Sequence, residues 1–182
     1  MRTKLLLAAL LLPLSLPVEA ALAPGAVAPS FTAAGAMAGK PYNVNLKAAL
    51  KKGPVVLYFF PAAFTGGCNV EAAAFAAALP DFTAAGATVI GMTAGNVDKL
   101  IAFSSEHCAG KFAVAAASPA VVKGYDVLLK KPDGTPTTVT SRTSYVIAPN
   151  GHIVLAHSDM NPGSHIRMTL EAVRKLKAGK KG

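Results

Sequence analysis

One stretch of this chain constrains its architecture more than any other. The apolar run Val55-Val56-Leu57-Tyr58-Phe59-Phe60 is halted by Pro61 and leads through Ala62, Ala63, Phe64 and Thr65 to Gly66-Gly67-Cys68. A β-rich run of this length, stopped by a proline and followed by a glycine pair and then by Asn69-Val70-Glu71-Ala72-Ala73-Ala74-Phe75, predicts strand, loop and helix in that order. Cys68 then opens the helix. Unpaired backbone N–H groups and the positive end of the helix dipole at that position favour thiolate over thiol, so the best-placed nucleophile is also electrostatically activated.

The rest of the chain supplies a sheet around that strand. After an irregular or hairpin-forming start, the sequence predicts strand Val55–Phe60, the helix opened by Cys68, strand Thr88–Thr93 and a helix over Val97–Cys108. In that second helix Val97, Leu100, Ile101 and the Ser104/Cys108 pair share one face. A loop-rich stretch with a turn at Lys131-Pro132-Asp133-Gly134 precedes strand Thr143–Ile147. The turn Pro149-Asn150-Gly151 then leads into strand His152–His157, since Asn-Gly between apolar strands signals a hairpin. The last helix, from Ser164 to about Lys177, steps Ile166, Leu170, Val173 and Leu176 along one face and stops at Gly179. This βαβαββα order predicts an α/β thioredoxin-like fold, a central mixed β-sheet with helices on both faces.

The spacing Pro61-x-x-x-Thr65-x-x-Cys68 behind an apolar strand resembles the active-site signature of the peroxiredoxins, thiol peroxidases that reduce hydroperoxides. Val27-Ala28-Pro29-Ser30-Phe31-Thr32 is similar to the family's opening segment, although Ser30 stands where Asp is usual. Ser141-Arg142-Thr143-Ser144-Tyr145-Val146-Ile147 resembles the segment that carries its active-site arginine. With Gly53-Pro54-Val55-Val56-Leu57-Tyr58-Phe59-Phe60-Pro61, which is similar to the family's core strand, these make four matches in the family's order, and they imply a peroxiredoxin Q or bacterioferritin-comigratory-like protein.

Attack on a peroxide O–O bond requires an ionised sulfur, a donor that aligns the peroxide oxygens and a cation facing the leaving oxygen. The resemblance gives these roles to Cys68, Thr65 and Arg142, with Pro61 shaping the loop and shielding the sulfur. Glu71 suits the helix start electrostatically and is a candidate partner for Arg142. The competing readings are a buried packing cysteine at Cys68, a surface arginine at Arg142 and a simple loop or cap residue at Thr65.

The resemblance also implies how the oxidised sulfur is recovered. Some peroxiredoxin Q-type proteins place a resolving thiol five residues after the first, but position 73 is alanine. Others carry it on the helix that here ends at Cys108, which implies an intramolecular Cys68–Cys108 disulfide reduced by a thioredoxin-like partner. Two alternatives stand beside it: a permanent structural disulfide in a non-catalytic protein, and a one-cysteine peroxidase with Cys108 idle. A thiol–disulfide oxidoreductase is disfavoured by the lack of Cys-x-x-Cys.

Met1-Arg2-Thr3-Lys4, the short apolar core Leu5 to Leu16 and Val18-Glu19-Ala20 together read as a secretory signal cleaved after Ala20. The core is too short to anchor the chain in a bilayer. Residues 21–182 then form one exported domain, periplasmic in a Gram-negative bacterium. The formal charge of +9 is concentrated towards the C-terminus, at Arg167, Arg174, Lys175, Lys177, Lys180 and Lys181, as suits a solvated helix end. Few aromatics and no recognition motif argue against nucleic-acid binding. His107, His152, His157 and His165 lack the paired spacing of a zinc site, and no haem or nicotinamide signature is present, so the expected chemistry is cofactor-free. The expected partners are a hydroperoxide and a thioredoxin-like reductant, with the protein a monomer or a dimer.

Overall fold

The computed structural model describes residues 22–179, so the expected signal segment and Lys180 and Lys181 lie outside the described residues. The chain begins with an antiparallel hairpin, β1 (Thr32–Met37) and β2 (Lys40–Asn45). Ala38 and Gly39 join them with positive φ at both positions, a two-residue turn whose twist matches that of the paired strands. Asn45 caps the short helix α1 (Leu46–Leu50) by accepting from the Ala48 N–H at 2.9 Å. Then follow β3 (Val55–Phe59), α2 (Gly66–Ala84), β4 (Thr88–Thr93) and, after one 3-10 turn, α3 (Leu100–Glu106). The remaining elements are β5 (Ala113–Ala116), α4 (Pro119–Gly124), the hairpin β6 (Leu128–Lys130) and β7 (Pro136–Thr140), β8 (Thr143–Ile147), β9 (Ile153–Ser158) and α5 (Gly163–Ala178).

Seven strands form one mixed sheet in the order β2-β1-β5-β4-β3-β8-β9. The β3–β4 and β4–β5 pairs are parallel, whereas β8 and β1 attach antiparallel on either side of that trio. Strand β3 is buried along its whole length, and its alternation assigns each residue to one of two cores. Val55, Leu57 and Phe59 join Leu46, Val121, Val122, Tyr125 and Tyr145 beneath α1 and α4. Val56, Tyr58 and Phe60 join Cys68, Phe75, Phe103 and Val173 beneath α2, α3 and α5. Period-two geometry splits one apolar run between two layers. This is the thioredoxin-like arrangement expected from the sequence.

Two local features adjust that expectation. The second helix ends at Glu106, so Cys108 sits two residues beyond it in a turn closed by Gly110 N–H to Ser104 C=O at 2.9 Å. Ala109 and Gly110 adopt left-handed φ of 49° and 68°, which no continuing α-helix accommodates. In α2, Pro80 has no N–H to give the Ala76 carbonyl one turn earlier. Lys111, from the Cys108 turn, supplies the missing donor, its ammonium reaching Ala76 O at 3.1 Å. The break in one helix thus becomes an anchor for the other cysteine's turn.

Candidate functional site

Residues 60–65 lead from the carboxyl end of β3 into α2, the position where open α/β sheets gather functional groups. Hydrogen bonds from neighbouring segments fix this loop. Thr93 at the end of β4 donates to Pro61 O at 2.9 Å, Asn96 donates through its amide to Ala63 O at 2.8 Å, and Thr140 donates to Phe60 O at 2.6 Å. Gly95 packs so closely that a Cβ there would lie 2.4 Å from the Pro61 carbonyl oxygen. Phe64, held at a φ of 62°, lays its ring edge against Phe103 and His107. Thr93, Asn96 and Thr140 escaped the sequence reading: the two threonines carry no signal beyond their place at strand ends, and Asn96 none beyond its suitability for the left-handed turn after β4.

Cys68 lies in the first turn of α2 and is almost wholly buried. Its Sγ is 3.5 Å from Nη2 of Arg142, which reaches over from the residue before β8. Gly67 makes room for that approach, since a Cβ there would stand 3.1 Å from the same nitrogen. Arg142 is itself fixed on two further sides: Nε donates to Met160 O at 3.0 Å and Nη1 pairs with Glu71 Oε2. Thr65 occupies the helix N-cap position with extended backbone, and its exposed hydroxyl donates to Ala62 O at 2.9 Å. The structure therefore brings Cys68 and Arg142 into direct contact and sets Pro61 and Thr65 along the loop that leads to the sulfur.

Of the two roles expected of Glu71, the structure bears out the pairing with Arg142 and not the one at the helix pole. The residue falls in the second turn, fully buried, and faces Arg142 rather than the free N–H groups. Burial pushes its carboxyl up to about 7 despite the opposing pull of the guanidinium. Its other oxygen, Oε1, has no hydrogen-bond partner and lies 3.9 Å from Nδ1 of His165 in α5. His165 is buried too. Ser144 Oγ lies 2.8 Å from its Nδ1, and Asp159 O lies 2.8 Å from its Nε2.

Cys108 shares the apolar layer with Cys68, but both thiols are free and the two are not close. Burial pushes the Cys108 thiol up to about 12. The described residues therefore hold no permanent staple between them. Among those residues no group of three His, Cys, Asp or Glu side chains is arranged to hold a metal ion, and no helix is long and apolar enough to cross a membrane.

A cysteine in the first turn of a helix, faced by a buried guanidinium on a thioredoxin-like sheet, defines the site as that of a thiol-based oxidoreductase. The sequence pattern of the AhpC/TSA family matches residues 24–156. A chloroplastic peroxiredoxin Q from Sedum lineare is 30% identical over 140 residues, covering 76% of this chain and 72% of the relative. Peroxiredoxin Bcp from Xanthomonas campestris pv. campestris is 27% identical over 121 residues, covering 66% and 76%. Among solved structures, peroxidoxin BcpB from Mycobacterium tuberculosis superposes with a TM-score of 0.71 at 26% identity, over 84% of this chain and 97% of that one. The chain belongs to the AhpC/TSA family, and its activity is that of a peroxiredoxin-type thiol peroxidase.

Proposed function

We propose that this protein is an exported peroxidase of the peroxiredoxin Q or bacterioferritin-comigratory type, in which Cys68 attacks hydrogen peroxide or an organic hydroperoxide. The contact of Arg142 with the Cys68 sulfur carries this reading, because it sets a fixed cation where oxide develops. The Cys68 thiolate displaces the leaving oxygen from the terminal peroxide oxygen, the O–O bond breaks, and the sulfur becomes sulfenic acid. The departing alkoxide or hydroxide takes a proton and leaves as alcohol or water. Pro61 limits water at the sulfur, and Thr65 aligns the substrate through its hydroxyl oxygen.

The sulfenic acid then condenses with the Cys108 thiol, releasing water and forming a Cys68–Cys108 disulfide. A dithiol of a thioredoxin-like reductant reduces that disulfide, itself becoming oxidised. Disulfide geometry needs Cα atoms within about 7 Å, so this route requires the Cys108 turn to unwind. Its left-handed residues Ala109 and Gly110, outside any helix, support such a movement. Residues 1–20 act as the secretory signal and residues 21–182 as the single mature domain. The burial and raised thiol of Cys108 favour a second reading, a one-cysteine peroxidase whose sulfenic acid is reduced directly by an external thiol.

Counting thiols by mass after one equivalent of hydrogen peroxide separates the readings. Wild type is expected to lose both thiols rapidly, Cys68→Ser to react barely, and Cys108→Ser to accumulate a sulfenic acid that overoxidises. Loss of one thiol alone in wild type selects the one-cysteine reading. Equal slow oxidation of all three proteins overturns the peroxidase site.

A further inference from the structure

The buried polar chain behind Arg142 ends on two facing acceptors. His165 Nε2 faces the Asp159 carbonyl, which only accepts, so that nitrogen carries the proton and Nδ1 carries the lone pair. Ser144 donates to that lone pair. Glu71 Oε1 also points at Nδ1 from 3.9 Å, too far for a hydrogen bond and with no other partner. An ionised carboxylate opposite an imidazole lone pair is a repulsive arrangement, and no water-exposed path relieves it, because Glu71, Ser144 and His165 are all fully buried. A proton on Oε1 replaces that repulsion with an attraction towards the lone pair it shares with Ser144.

We propose that His165 is a positioning residue of the peroxidase site, which holds a proton on Glu71 Oε1 in the reduced protein against the competition of Ser144 for the same Nδ1 lone pair, and so leaves the Arg142 charge directed at Cys68 and its substrate. The inference rests on the peroxidase reading of Cys68 and Arg142. Two acids share one guanidinium: Arg142 meets the Cys68 sulfur through Nη2 and Glu71 through Nη1. When Glu71 is neutral, the cation has one anion to compensate rather than two. Ionisation of Glu71 splits the charge between carboxylate and sulfur, and the field at the reacting oxygen weakens.

The other charged or titratable groups around the pair do not displace the proton. Tyr58 in β3, with its hydroxyl raised well above the usual range, stays neutral. The His157 ring in β9 lies 4.6 Å from the His165 ring, tilted by 58°, and is hydrogen-bonded to Ser164, so a charge there opposes a charge on His165. Asp159 offers its backbone carbonyl to His165, and its carboxylate accepts from the Asn161 N–H. Burial depresses His165 to about 4 and raises Glu71 to about 7, so the first proton taken by the pair resides on the carboxyl.

Difference infrared spectroscopy of the reduced full-length protein, titrated from pH 4 to 9, tests this directly, with peroxide rates measured on the same samples. The expected result is a protonated-carboxyl band that persists to near neutral pH, disappears in Glu71→Gln, and is lost in step with a fall in the peroxide rate constant. Two variants should shift the inflection in opposite directions. His165→Phe keeps an aromatic ring at the position but removes the acceptor of the protonated carboxyl, lowering the inflection by about one pH unit. Ser144→Ala frees Nδ1 for Glu71 and raises it by a similar amount. A general packing defect gives no such opposed pair. A wild-type band that titrates near the ordinary 4.5 overturns the proposal without relying on any variant, as do shifts of one sign in both variants. Absence of peroxide reactivity with the band intact instead removes the peroxidase reading and leaves the proton site standing.

Discussion

The two cysteines lie in one apolar layer, yet their surroundings prepare them for different events. Cys68 sits in the first turn of a long helix, against a guanidinium that is itself held by Glu71 and the Met160 carbonyl. Cys108 has no such cation among its contacts. It lies past the end of α3, in a layer with Tyr58, Phe60, Phe103 and Phe112, and its thiol is pushed up to about 12 by burial alone. The difference separates reactivity from availability. One sulfur faces a cation in the folded protein, whereas the other is enclosed by apolar side chains.

Removing the cation should have the largest effect on this contrast. Arg142→Ala is expected to lower the peroxide rate constant of Cys68 by about a hundredfold, the scale of losing one preorganised donor to a developing oxyanion. The fold should survive, because the abandoned Glu71, already raised to about 7 by burial, keeps its proton without the guanidinium and does not become a buried lone anion. Stopped-flow peroxide kinetics with a thermal melt of the same variant check both statements. An unchanged rate would remove Arg142 from the chemistry and make the two cysteine environments equivalent.

A smaller effect should come from loosening Cys108. Lys111→Met withdraws the ammonium from the Ala76 carbonyl, which Pro80 cannot satisfy, and so unpins the turn that carries Cys108. Loss of a charge-assisted hydrogen bond worth about 1.5 kcal/mol corresponds to roughly tenfold more frequent opening. Alkylation of Cys108 should accelerate by that factor while Cys68 is unaffected. In wild type, Cys108 alkylation should rise with pH towards 12, and its burial should stabilise the fold fully below pH 9 and progressively less between pH 9 and 12, as the unfolded thiol ionises first. Equal acceleration at both cysteines would mean that Lys111 acts on global stability and not on the turn.

This division between the cysteines also marks how far the sequence could be read. The run from Val55, the proline stop and the glycine pair located Cys68 because strand, loop and helix propensities all change within a dozen residues. Strands β4 and β8 were legible to the residue, and the Asn150-Gly151 turn did join antiparallel strands. Strand β5 was hidden in Ala113–Ala116, where small residues carry little β signal, and α1 and α4 are too short for a helical period to show. Cys108 was read onto a helix because Ser104 and Cys108 are four apart, but the left-handed Ala109-Gly110 pair ends the helix before that spacing applies. The chain from Glu71 to Ser144 and His165 spans three elements remote in sequence, and only the packing of α5 against β8 and α2 brings it together. Periodicity carries no trace of such a contact.

The smallest expected effect tests what lies within the shared layer. The Tyr58 hydroxyl is buried without a hydrogen-bond partner, its ring stacked 4.4 Å from Phe75. Charges on Cys108, Glu71 and Cys68 would all raise it further, Cys108 most of the three. Tyr58→Phe deletes an unsatisfied polar atom while keeping the ring, so stability should increase by about 1 kcal/mol with no change in peroxide rate. Denaturant melts of the reduced protein measure this increment. A loss of stability instead would show that the hydroxyl has a partner in solution. Repeating the melt in Cys108→Ala and Cys68→Ala backgrounds then identifies which sulfur provides it, since only the partner's removal abolishes the loss. Coupling to Cys108 would give the less reactive thiol a polar contact of its own and narrow the difference between the two sites; coupling to Cys68 would widen it.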